Sequence, residues 1–134
     1  MLNLSIKFVD ETKNVIKKMQ QGTFKCLGHA AATLRMFARS SIQKRKSRRV
    51  SSSAGSAPFS HRERGLKSSI FFDVDKTKSQ AVIGPSADFV GDSAQAHEFG
   101  IVYKGTKFEK RPFMGPAFKK IESRLPKFWE DALR

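Results

Sequence analysis

The residues able to do chemistry in this chain are few and scattered. Three histidines (His29, His61 and His97), one cysteine (Cys26) and the Asp73/Asp75 pair are the groups that could titrate near neutrality, attack an electrophile or hold a metal. Catalysis by a histidine needs a nucleophile or a carboxylate in a defined relation to it. The spacing supplies none: His29 lies between Gly28 and Ala30 in a helical pattern, and His61 sits in a basic loop. Each histidine therefore reads as structural or solvated, and Cys26 as a small buried hydrophobe. No Cys/His cluster offers the four ligands of a structural zinc site, and a lone cysteine forms no internal disulfide. Asp73 and Asp75 are two apart on a strand pattern and so share a face. They would bind a metal there, form paired acids or stand in solvent, and the solvated face is the simpler reading. The glycines are isolated, so no phosphate-cradling loop is encoded. The expectation is a binding protein without catalytic residues, cofactor or metal.

What the chain does carry is positive charge. It has 26 Lys plus Arg against 12 Asp plus Glu, a net charge of +14. Ten of the basic residues fall between Arg35 and Lys67, where Glu63 is the single acid. The densest part is Lys44, Arg45, Lys46, Arg48 and Arg49, followed by Arg62 and Arg64. Like charges so close repel one another and favour an acidic partner. As a nucleic-acid element these side chains would neutralise phosphates with a steep salt dependence. The run lacks interleaved aromatics for base stacking, so sequence readout is unsupported. As an assembly element it would order against the acidic face of a partner protein.

The elements that must position these groups follow from periodicity. The 134 residues suit one domain, and the 39% hydrophobic content suffices for a core. No apolar run approaches the roughly 18 residues that span a bilayer, and the start of the chain lacks the continuous apolar stretch of a signal peptide. The expected place of synthesis is the cytosol, away from membranes. Leu2, Leu4, Ile6 and Phe8 alternate with polar residues as a half-buried strand would. Asp10 or Thr12 can then cap a helix. Ile16, Met19, Thr23, Leu27, Ala30, Ala31, Leu34, Phe37, Ala38 and Ile42 recur at steps of three and four and predict its buried stripe, with Gln21 and Gly22 as the place where it would bend or break. A Ser-, Gly- and Pro-rich loop over 44–63, basic and flexible, has little to bury. Residues 66–75 and 80–83 predict a hairpin, with Ile70, Phe72 and Val74 on one face. A turn or short helical piece is expected in 86–96, a strand over 97–103 and a turn-rich connection over 105–111. Phe113, Ala117, Ile121, Leu125, Trp129 and Leu133 step by four along a final helix, which Pro126 should kink or restart. The predicted class is α+β: a long N-terminal helix, a small antiparallel sheet of about four strands and a C-terminal helix.

Four motifs stand in a fixed order: Arg64-Gly-Leu-Lys-Ser-Ser-Ile70, Val82-Ile-Gly-Pro85, His97-Glu-Phe-Gly100 and Arg111-Pro-Phe-Met-Gly-Pro-Ala117. With the long helix before them and the helix after them, they resemble the tail-completion or head–tail connector proteins of tailed bacteriophages, a group similar to tail terminators. The likeness runs over nearly the whole chain; the strongly basic loop and Pro126 depart from the common pattern. The resemblance implies a structural protein of the virion neck, made in the host cytoplasm and forming a ring, usually hexameric. Its partners would be the head connector or stopper and the tail tube, with DNA in the lumen as a further contact. In such a ring Glu98, Phe99 and Arg111 are the candidate inter-subunit residues, with Arg111 as the cation for Glu98 within one subunit or across to the next.

Overall fold

The structure, a computed structural model, describes residues 12–47, 49–60 and 65–130. The strand expected over 2–8, the capping Asp10, and Arg48, His61, Arg62, Arg64 and Leu133 lie outside the described residues. The chain mixes helix and sheet, as its periodicities predict. Helix α1, Thr12–Ser41, is 30 residues long, about 45 Å at the usual rise. It runs through Gly22 and Gly28 without the expected break. Gly28 is not needed for space, since an added Cβ there would meet nothing within 4 Å; packing along the rest of the helix offsets the propensity cost of about 1 kcal/mol per glycine. Ser40 and Ser41 end the helix by donating their hydroxyls to the Phe37 and Ala38 carbonyls.

The C-terminal half of α1 supplies the core. Leu34, Ala38 and Ile42 pack with Leu66, Ile70, Phe113, Ala117 and Ile121 in one buried cluster. At the other end of the stripe Ile16 and Met19 are about half exposed, against the expectation that they are buried. Among the described residues, the elements that pack on α1 meet mainly its later turns and leave its apolar start largely uncovered.

Among the described residues the strands form not one sheet of four but three separate two-stranded pairs, and each has a local reason. Strands β1 (Gln43–Lys44) and β2 (Phe59–Ser60) run parallel, which requires a crossover of about a dozen residues, and the Ser-rich loop between them is that crossover. Strands β3 (Ile70–Asp75) and β4 (Gln80–Pro85) form the expected antiparallel hairpin. Asp75 organises its turn, accepting from the Thr77 N–H at 2.8 Å, the Thr77 hydroxyl at 2.6 Å and the Lys78 N–H at 3.2 Å. Those bonds hold its carboxyl below the usual carboxylate range, the Thr77 hydroxyl first among the causes. At the far end Ser86 N–H donates to the Ser69 carbonyl, which makes Ile70–Pro85 a non-hydrogen-bonded pair, so Pro85 removes no ladder bond. Strands β5 (Ile101–Tyr103) and β6 (Thr106–Phe108) form the third pair. Their two-residue turn, Lys104 at φ 47° and Gly105 at φ 75°, has the two positive φ values of a type I′ hairpin.

Two short helices, α2 (Ala87–Val90) and α3 (Ser93–Phe99), stand where a turn or short helical piece is expected and continue into the residues read as a strand. The C-terminal helix is divided into α4 (Met114–Glu122) and α5 (Leu125–Glu130), with Pro126 in the first turn of the restart. Helix α1 packs against the β3–β4 hairpin, α4 and α5. The Cys26 thiol donates to the Phe128 carbonyl at 2.8 Å, tying α1 to α5, in keeping with a buried structural cysteine.

Candidate functional site

Glu98 and Phe99 lie on α3 and not on a strand. The helix ends at Gly100, at φ 72°, where a Cβ would come within 3.0 Å of the Phe108 carbonyl. Seven residues from His97 to Tyr103 are too few for alternation to outweigh a glycine stop in their middle.

This placement gives Glu98 a different partner from the one the sequence suggests. Its Oε2 accepts from the backbone N–H of Phe113 at 2.9 Å and of Met114 at 3.1 Å, and its Oε1 from Gly115 N–H at 2.9 Å. Phe113, which precedes helix α4 at its N-cap, offers no side-chain cap, so a carboxylate from another helix satisfies the free N–H groups of the helix start and meets the positive end of its dipole. A side chain at Gly115 would press on that carboxylate, with Oε1 3.1 Å from an added Cβ. The Glu98–Arg111 pair is therefore not formed within the chain.

Arg111 instead holds three backbone carbonyls. Its own N–H donates to His97 at 2.6 Å, its Nε to Ser52 at 3.0 Å and its Nη1 to Glu109 at 3.4 Å. With the Gly55 N–H on the Lys110 carbonyl at 2.8 Å, this ties the crossover loop to the end of β6. Pro58, Ser52 and Ser60 of that loop are buried, although the sequence there offers few apolar residues.

Between the loop, α3 and the β5–β6 hairpin lies a cleft of about 480 Å³, whose walls include Arg45, Ser52, His97, Arg111, Phe89 and Phe108. Burial, with the Arg111 guanidinium as second cause, holds the His97 imidazole below its ordinary value. The Ser52 hydroxyl oxygen is buried with no hydrogen-bond partner among the described residues. Arg45 reaches the Val50 carbonyl through Nε at 3.1 Å. Nothing in three successive serines marks Ser52 in the sequence; only the fold separates it from Ser51 and Ser53.

The remaining basic residues spread out. Lys44, Lys46 and Arg49 are exposed, while Arg35, Arg39 and Lys67 line a groove on α1. Arg35 donates from Nε to the Ile70 carbonyl at 2.6 Å and lies over the Phe71 ring, so it also secures the start of β3. The other surface feature is apolar. Phe99 is 68% exposed and Val102 71%, with Ile101 and Phe108 beside them on a hairpin whose outer edges have no strand partner among the described residues. Among the described residues no group of three potential metal ligands comes together, and no helix is long and apolar enough to cross a membrane. Comparison with protein-family models, with curated proteins and with solved structures finds no match.

Proposed function

We propose that this chain is a structural subunit of the neck of a tailed phage or prophage, forming a ring at the head–tail junction that terminates or completes the tail and joins it to the head connector. The observation that carries the reading is the β5–β6 hairpin, with apolar side chains in solvent and neither edge paired by another strand among the described residues. Isolated two-stranded hairpins are marginal in water, and open edges template pairing with other chains. Closure of a ring of identical subunits covers such edges without leaving one free. The ordered motifs add support through their places in the fold. Gly65 and Leu66 start a turn in which Ser68 and Ser69 cap carbonyls and deliver Leu66 and Ile70 to the core. Glu98 of the Glu-Phe-Gly motif fastens the Arg-Pro-Phe motif. These residues hold one subunit together and leave its apolar strands facing outward, an arrangement suited to binding. The test is sedimentation of Val102→Lys and Phe99→Lys chains beside the parent. The reading expects a parent oligomer that the lysines dissolve; parent and variants of equal mass, alone and with tail tubes, overturn it.

A small basic nucleic-acid-binding protein is the second reading, and the Arg35, Arg39 and Lys67 groove favours it. It expects DNA affinity that falls with log salt at a slope of about −0.9 per phosphate contact. Replacing the three residues with Gln would flatten that slope.

A further inference from the structure

We propose that the cleft between the crossover loop, α3 and the β5–β6 hairpin receives a side-chain carboxylate from an acidic, apolar-flanked peptide segment of a partner protein, with Arg111, Ser52 and His97 as the groups that hold it. The site stands apart from the ring reading and does not depend on where in a virion the chain sits.

The chemistry of the walls selects an anion. The Arg111 guanidinium lines the cleft together with hydroxyls and an imidazole, and among the described residues no Asp or Glu does. Glu98, the acid that the sequence suggests as the partner of Arg111, is committed to the first turn of α4. Arg111 binds its carbonyl partners through Nε and one Nη, which leaves N–H donors of the fork for an oxyanion. Ser52 is 8% exposed and its hydroxyl oxygen has no partner among the described residues. A buried hydroxyl without a hydrogen bond is costly and rare enough to call for a reason, and an incoming carboxylate supplies one by accepting its proton. His97, lining the same cleft and half-buried, can donate from one ring nitrogen.

The rest of the lining separates a peptide from a nucleic acid. Phe89, Val90, Leu66 and Phe108 make a large part of the wall apolar. A phosphodiester strand would bring a row of charges and sugars against those rings, whereas one carboxylate flanked by apolar side chains places its charge on Arg111 and its flanks on the rings. The volume lies within the roughly 300–1,000 Å³ common for ligand sites.

The experiment is NMR titration of the full chain with acetyl-Leu-Asp-Phe-amide, with its Asn twin and with a thymidine dodecamer, following the His97 imidazole and the Ser52 amide. The proposal expects the Asp peptide to shift both signals and to raise the pH at which His97 titrates, with the Asn twin at least about 10-fold weaker. Arg111→Lys should lose most of the binding. Because Arg111 also anchors the loop, Ser52→Ala is the separating variant. It removes a hydroxyl that bonds to nothing among the described residues, so the denaturation midpoint should hold or rise while Asp-peptide affinity falls about 3–10-fold. Equal binding of the two peptides, no shift with either, or unchanged affinity in Ser52→Ala overturns the proposal. So does a dodecamer that moves the same two signals at lower concentration than the Asp peptide. None of these results changes the sedimentation outcome expected of a ring.

Discussion

Replacing Glu98 with Ala removes the cap of α4 from outside that helix, and its cost can be worked from the three bonds. A capping acceptor is worth about 0.5–2 kcal/mol, and a charge at the positive end of a helix about 0.3–1 kcal/mol more. The bonds are not equivalent. Gly115 is exposed and its N–H recovers water, whereas the Phe113 N–H lies beside a ring only 1% exposed, and a buried donor left without a partner costs about 1–3 kcal/mol. Allowing for overlap, Glu98→Ala should destabilise the chain by about 2–4 kcal/mol. Glu98→Gln, whose single neutral acceptor can serve one end of the turn but not both, should lose about 1–2 kcal/mol. Urea denaturation reads both as a lower midpoint at unchanged slope. Gly115→Ala provides a control of opposite sign. Beside Glu98 its methyl presses on Oε1 at 3.1 Å and should destabilise; in the Glu98→Ala background the contact is gone and the better helix former should be neutral or stabilising. A loss below about 0.5 kcal/mol in Glu98→Ala, or the same effect of Gly115→Ala in both backgrounds, refutes the capping role.

Other expected outcomes are as follows. The folded chain holds the His97 imidazole below its ordinary value near 6.5, so the unfolded chain takes up the proton first as pH falls. Stability should therefore decline as pH drops through about 6.5 and level off below the folded value, and His97→Asn should flatten that decline in pH-dependent denaturation. Gly105→Ala places a side chain at φ 75° and should cost about 1–2 kcal/mol, read as a lower midpoint, with Gly105→Asn milder. Cys26→Ser keeps a donor for the Phe128 carbonyl but buries a more polar group, and should lose about 1 kcal/mol by the same assay.

The sequence discloses elements whose signal is local and repeated. Leu34, Ala38 and Ile42 mark the core face of α1 because several turns repeat one spacing, and residues 70–85 show a hairpin through alternation on both sides of a turn. What stayed hidden depends on distance or on one residue. Glu98 meets an N–H group 15 residues away, and no local pattern shows that a carboxylate at the end of one helix caps the next. The helix there lies in a seven-residue stretch that alternation misreads; the signal that would have found it was Gly100 behind a run of helix-compatible residues, and Lys104-Gly105 between two short apolar runs was the companion mark of a hairpin. The sheet count failed for a related reason: alternation identifies strands but not which strands share an edge. Ile16 and Met19 keep the spacing of the stripe, yet spacing cannot tell whether anything covers it. The Ser52 hydroxyl becomes distinct only when the crossover folds beneath Arg111.

Native mass spectrometry of the chain, alone and after mixing with polymerised tail tubes, reads directly whether it closes into a ring. A neck subunit gives a closed set of several copies in at least the mixture, reduced to single chains by Val102→Lys together with Phe99→Lys. A single-chain mass for the parent in both conditions, with folding intact, would contradict it.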